Sequence, residues 1–140
     1  MILMIIDATD TILGRMAVVA AKKALLGEEV MIINAEKAIV TGSRKVVLAR
    51  FKFKRDVGDQ IKGPFYPRMP DRLVRRVVRG MLPIRKTSGL DAYKRVKAFI
   101  GKPADIKGDV TELKDIKASS LKDPKYIYVE EISKWLGAKW

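Results

Sequence analysis

The 140-residue sequence contains no cysteine and no histidine. Without cysteine there is no disulfide, no thiolate nucleophile and no thiolate zinc site. Without histidine the chain lacks the commonest general base and the commonest metal ligand. Side-chain amides are nearly absent as well, with Asn34 and Gln60 the only two. Combined with a charged fraction of 32%, that scarcity fits adaptation to a high growth temperature. No apolar run approaches the roughly 18 residues of a membrane span. The opening run Met1 to Ile6 is too short for a signal-peptide core and has no basic segment ahead of it, so the cytosol is the expected compartment.

Acidic residues are scarce too, but only locally. Residues 44–102 hold 18 Lys and Arg against four acids, Asp56, Asp59, Asp71 and Asp91, a net of +14. The rest of the chain holds 11 against 12, a net of −1, and the two parts reproduce the overall +13. Solubility alone does not require such a concentration, which stores self-repulsion. A phosphate backbone relieves the repulsion and releases its own condensed counterions.

The length suits one domain with a real core, and 48% hydrophobic residues is ordinary for a globular protein. Met1 to Ile6 reads as a strand buried on both faces. Asp7 to Thr11 supplies turn and cap chemistry, Ile12 to Leu26 reads as a helix ended by Gly27, and Val30 to Ile33 is a second buried run. Strand, helix and strand within about 33 residues is the size of a βαβ unit, so the two strands are expected to be parallel. Ala38 to Val40 adds a short strand. Ser43 to Arg55 reads as a helix burying Val46, Val47, Phe51 and Phe53, with Arg44, Lys45, Lys52, Lys54 and Arg55 around it. Gly58, Gly63, Pro64, Pro67 and Pro70 then break regular structure. Leu90 to Arg95 is expected to be a short helix and Val96 to Ile100 a strand. From Gly101 onward Lys alternates with Asp and Glu. The expected anchors of this tail are Tyr126 to Val129, a helix over Glu130 to Trp135, and Trp135 and Trp140 docked on the body.

The helix after Pro70 carries the clearest pattern. Arg72, Arg75, Arg76 and Arg79 fall within an arc of about 100°, and Leu73, Val74, Val77, Val78, Met81 and Leu82 fall opposite. Pro70 suits the first turn and Asp71 the positive end of the helix dipole. No carboxylate is interleaved with the arginines, whereas a solvated helix face usually mixes signs. A row of guanidinium forks suits phosphates, to which each fork donates paired hydrogen bonds.

Other segments add to this. In Gly63 to Pro70, prolines stiffen a loop that carries Phe65 and Tyr66, and Lys62 and Arg68 are placed to reach phosphates. Phe65 is expected to pin the loop to the core. Tyr66 is left open between pinning and stacking on an unpaired base. Arg85 and Lys86 share a loop with Thr87 and Ser88, a composition suited to backbone phosphates. Thr41-Gly42-Ser43-Arg44-Lys45 lacks the Walker spacing and reads as a helix cap whose amides could still meet a phosphate. Asp7 and Asp10 follow a strand, where a metal-dependent nuclease would place carboxylates, but turn formation and capping account for both. Gly14 alone is far short of a dinucleotide fingerprint.

Several ordered motifs together resemble the universal L-thirteen family of large-ribosomal-subunit proteins. They are Leu13-Gly14-Arg15, Ile33-Asn34-Ala35-Glu36-Lys37-Ala38-Ile39-Val40-Thr41-Gly42, Gly80-Met81-Leu82-Pro83, Gly89, and Tyr93-Lys94-Arg95-Val96. The resemblance covers about residues 2 to 103. Gly63 to Pro70 ahead of the arginine helix is similar to the archaeal and eukaryotic branch. Residues 104–140 match the shared pattern poorly. The resemblance implies an α/β sandwich-like core, a structural role, binding to 23S-type ribosomal RNA, neighbouring ribosomal proteins, and no catalytic residue. It carries RNA contact onto Arg72, Arg75, Arg76, Arg79, Arg85 and Lys86, and further onto Lys52, Lys54 and Arg55.

The expectation is therefore a single α/β domain with a mostly parallel central sheet, flanking helices and a C-terminal appendage. Residues 1–103 form the RNA-binding core and residues 104–140 an extension docked on it. The expected rRNA-binding set is Arg44, Lys45, Lys52, Lys54, Arg55, Lys62, Tyr66, Arg68, Arg72, Arg75, Arg76, Arg79, Arg85 and Lys86. No cofactor, metal, small-molecule substrate or membrane is expected. The rival readings are a metal-dependent enzyme acting on nucleic acid and a DNA- or RNA-binding module outside the ribosome.

Overall fold

The computed structural model describes residues 3–59, 61–63, 65–122 and 125–140. Met1 and Ile2 of the first strand run, Gln60, and Pro64 of the proline segment lie outside the described residues. The first three elements are β1 (Leu3–Asp7), α1 (Leu13–Leu25) and β2 (Glu29–Ile33), and β1 and β2 pair in parallel as a βαβ unit requires. Gly27, at φ +94°, makes the left-handed turn that releases the chain from α1. After β3 (Ile39–Thr41) come α2 (Arg44–Asp56), α3 (Pro70–Gly80), α4 (Thr87–Arg95) and β4 (Val96–Ala98). The chain closes with β5 (Val110–Thr111), β6 (Tyr126–Tyr128) and α5 (Val129–Trp135).

The central sheet has the order β4-β2-β1-β5 and is parallel throughout. Its register aligns Met4 and Ile6 with Val30 and Ile32, and these in turn with Val96 and Ala98. Alternate residues share a face, so these side chains line one side of the sheet and meet the helices there. The small residues Ala17, Ala20, Ala21 and Ala24 of α1 are buried in the same cluster, joined by Val47, Leu48 and Phe51 of α2 and by Leu73, Val74 and Val78 of α3. The opposite face is only partly covered. Ile5 is buried, with Gly108 close against it, but Leu3 is 41% exposed and Lys97 is exposed. A strand run buried on both faces is thus not what forms.

Other expectations need correction. Val46 and Phe53 point to solvent, and Leu48 takes the core position on α2. Val77 is half-buried and Met81 exposed, so the buried stripe of α3 is narrower than its apolar side. The loop expected to hold Arg85 and Lys86 together with Thr87 and Ser88 is shorter, because α4 already begins at Thr87.

The segment after residue 103 enters the fold at three places. β5 extends the central sheet beside β1. β6 pairs antiparallel with β3 in a second, two-stranded sheet. Ile127, Val129, Ile132 and Leu136 join the main core. The tryptophans add only part of the docking: Trp135 is 41% exposed, with the Arg55 guanidinium of α2 lying 5.9 Å from the centre of its ring, and Trp140 is 45% exposed. Among the described residues no helix is long and apolar enough to cross a membrane.

Candidate nucleic-acid interface

α3 is held by its apolar stripe. Pro70 occupies the first turn, Leu73, Val74 and Val78 are buried, and the helix packs on α1 and β4. The first-turn carboxylate of Asp71 lies at the positive end of the helix dipole, with Oδ1 buried and unbonded. The arginines occupy the remaining side, but their environments differ. Arg72 is exposed, while Arg75, Arg76 and Arg79 are half-buried. Arg75 is committed to the fold. Its Nε donates to the Val96 carbonyl at 3.1 Å, and its guanidinium lies 4.5 Å from the centre of the Tyr93 ring. Arg76 lies over the Tyr66 ring at 5.8 Å. The expected uniform row of free cations is therefore two free ends, Arg72 and Arg79, with two arginines between them braced by aromatic rings. Among the described residues, no carboxylate is within ion-pair distance of any of the four.

The proline segment reverses the expectation for Phe65 and resolves the open one for Tyr66. Tyr66 is the pinned ring: Phe51 meets it edge-on at 6.1 Å, and Lys54 and Arg76 lie over it at 5.4 and 5.8 Å. Burial pushes the Tyr66 hydroxyl up from its ordinary pKa, and the Arg76 charge works against that rise. Phe65 is 68% exposed. A Cβ on Gly63 would come within 3.0 Å of the Phe65 ring, so a glycine at 63 leaves room for that ring. Residue order alone cannot tell which of two adjacent aromatics turns inward, because that depends on where Phe51 arrives.

Around α3 the other expected cations fall into groups. Lys45, Lys52, Lys54, Lys62 and Arg68 are exposed. Arg44 is paired with Glu131 of α5 at 3.0 Å, an exposed bridge. Arg55 donates to Asp56 at 3.0 Å and to the Leu136 carbonyl at 3.3 Å. Arg79, Arg85 and Lys86 converge on one cavity of about 510 Å³ at the far end of α3. At the near end Arg55, Arg68 and Arg72 border a cleft of about 720 Å³ together with Lys139. Lys139 was missed because the charge map of its segment is neutral on average. Arg15 and Arg50, also outside the expected set, rim an apolar groove of about 460 Å³ between α1 and α2.

The carboxylates near the βαβ unit are used for structure. Asp7 Oδ1 accepts from the Thr9 backbone, the Thr9 hydroxyl and Asn34 at 2.7 to 3.1 Å. Burial pushes its pKa up, but those hydrogen bonds outweigh burial and hold it below the ordinary value. Asp10 accepts from the Tyr128 hydroxyl at 2.7 Å. Buried Glu36 accepts from the Gly101 amide at 3.0 Å, while the Asn34 amide donates to the Gly101 carbonyl. The Asn34-Ala35-Glu36 motif thus clamps the chain after β4 to the end of β2. Among the described residues no group of acids is gathered where it could hold a metal ion.

Fold and surface together define a basic α/β scaffold, with its acids tied into turns and clamps and its cations carried on rigid elements. Residues 2–105 match the family model for ribosomal protein L13. The chain is 42% identical over 135 residues to the large ribosomal subunit protein uL13 of Archaeoglobus fulgidus, covering 95% of this chain and 86% of the relative. It is 41% identical to the protein of the same name from Methanosarcina barkeri, covering 97% and 99% of the two. Against that of Methanopyrus kandleri it is 43% identical, covering 95% and 86%. The chain belongs to the ribosomal protein L13 family, a family of structural proteins rather than enzymes.

Proposed function

We propose that this protein binds 23S-type rRNA within the cytoplasmic large ribosomal subunit and supports assembly of that subunit, through the basic face of residues 44–102. The observation that carries this reading is α3: an apolar stripe fixes the helix, and among the described residues no carboxylate neutralises the arginines opposite. A packed helix fixes the spacing of the backbone positions that carry the cations, so little backbone entropy is lost on meeting phosphates. Arg72 with Arg68 at one end, and Arg79 with Arg85 and Lys86 at the other, are the phosphate contacts. Lys45, Lys52, Lys54 and Lys62 widen the field. Arg75, Arg76 and Tyr66 act mainly as braces. Neighbouring ribosomal proteins are the further partners, a reading that membership of a large-subunit protein family supports.

The test is Arg72→Gln combined with Arg79→Gln, assayed against large-subunit rRNA over a salt series. The fold should be unchanged, because among the described residues neither side chain has a hydrogen-bond or ion-pair partner. Binding should weaken, and the log–log salt slope should flatten by about 0.7 to 0.9 for each phosphate contact removed. Wild-type affinity and slope in this variant would remove the assignment.

A further inference from the structure

The cleft of about 720 Å³ between the proline segment and the C-terminal end holds more than phosphate contact explains. Its cations are Arg55, Arg68, Arg72 and Lys139, and among the described residues no carboxylate lines it. Its volume lies within the roughly 300–1,000 Å³ of sites that enclose small organic ligands. It also presents Phe65, a ring that is 68% exposed beside a Tyr66 already engaged on its own ring faces.

The walls are held in place. Buried Ser133 of α5 donates its hydroxyl to the Arg68 carbonyl at 2.6 Å, and Trp140 Nε1 donates to the same Ser133 oxygen at 3.2 Å. Arg55 is tethered to the Leu136 carbonyl. A Cβ on Gly137 would lie 3.7 Å from an Arg68 guanidinium nitrogen, so chain end and guanidinium are neighbours.

We propose that this cleft receives one unstacked nucleotide of an RNA strand, with its base on Phe65 and its flanking phosphates on Arg68, Arg72 and Lys139. The proposal rests on the RNA-binding reading above and adds a base-level contact to it. A base within a duplex offers only its edges, so an exposed aromatic face among cations selects a splayed, single-stranded nucleotide. A bare phosphate would leave the ring unused.

The experiment uses the full chain and transcribed large-subunit rRNA, comparing wild type, Phe65→Ala, Phe65→Trp and the Arg72→Gln, Arg79→Gln variant across a salt series. Phe65→Ala should melt like wild type yet bind about 5- to 150-fold more weakly, the range for losing one stacked base. Its salt slope should stay unchanged because no cation is removed, and Phe65→Trp should restore affinity. Ultraviolet crosslinking should place a nucleotide adduct on the peptide that contains Phe65. If Phe65→Ala binds like wild type while the double-arginine variant is weakened, the cleft assignment falls and the phosphate reading stands. If neither variant is weakened, both fall. Binding of free nucleoside monophosphates as tightly as the RNA would overturn the assignment to a nucleotide within a strand.

Discussion

Tyr128 and Asp10 show how single side chains hold the ends of this fold together. The Tyr128 hydroxyl donates to the Asp10 carboxylate at 2.7 Å across 118 positions of sequence. That hydrogen bond, aided by burial, pushes the Tyr128 pKa up to about 12. A raised folded-state value means the contribution to stability is complete below the ordinary tyrosine pKa near 10 and is lost as pH rises toward 12. An absorbance titration of the four tyrosines should therefore contain a late step that Tyr128→Phe abolishes. At neutral pH the same substitution should lower stability by about 1 kcal/mol, the usual worth of one hydrogen bond. A variant that loses a step near the ordinary pKa of about 10 and keeps the late one would refute the pairing. The sequence marked both residues only as turn and tail anchors. Their partnership depends on β6 lying against β3, a pairing that local pattern does not encode. Arg75 teaches the same lesson: its position on the helix was legible, its attachment to Val96 and Tyr93 was not.

At the scale of elements, α3 gives two contrasts. Val74 is fully buried and Val77 only half-buried, although helical periodicity places both on the apolar side. Val74→Asp should abolish a cooperative melt, because an unpaired carboxylate would lie in the core. Val77→Asp should leave a folded protein with a lower Tm, since its side chain can reach the groove beside Met81 and Arg50. Equal melting curves for the two would mean that the helix is rotated from its described orientation. The approach of α4 supplies the second element-level test. A Cβ on Gly89 would overlap the Pro83 carbonyl, so the Pro83 and Gly89 pair sets how closely α4 follows the turn. Gly89→Ala should cost about 1–3 kcal/mol, as overpacking does, and should shift Arg85 and Lys86 with the turn. Denaturant unfolding checks the first effect and rRNA affinity the second. The motif glycine at 89 was legible as a feature of the sequence. Its reason, a backbone contact between two segments, was not.

The whole molecule carries +13, of which +14 lies in residues 44–102 and −1 elsewhere. Of the α2 and α3 cations, only Arg44 meets an acid of the C-terminal segment, Glu131, among the described residues. The repulsion is therefore largely uncompensated in the free protein. Its Tm should rise as salt increases from about 0.01 to 0.15 M, as the Debye length shrinks from roughly 30 to 8 Å. Large-subunit rRNA should raise the Tm further, by linkage. A Tm that falls over that salt range would show that attractive pairs dominate the surface.

The order of charges along the chain and the spacing of apolar residues were sufficient to give the parallel βαβ unit, the amphipathic α3 and the confinement of positive charge to the middle of the chain. All three follow from neighbours in sequence, where periodicity and local composition act directly. Tertiary structure alone decided which arginines are braces and which are free, which of Phe65 and Tyr66 faces outward, and that residues 110–111 and 126–128 complete two sheets. Those outcomes depend on side chains arriving from distant parts of the chain, and burial is a property of the packed neighbours rather than of the residue itself.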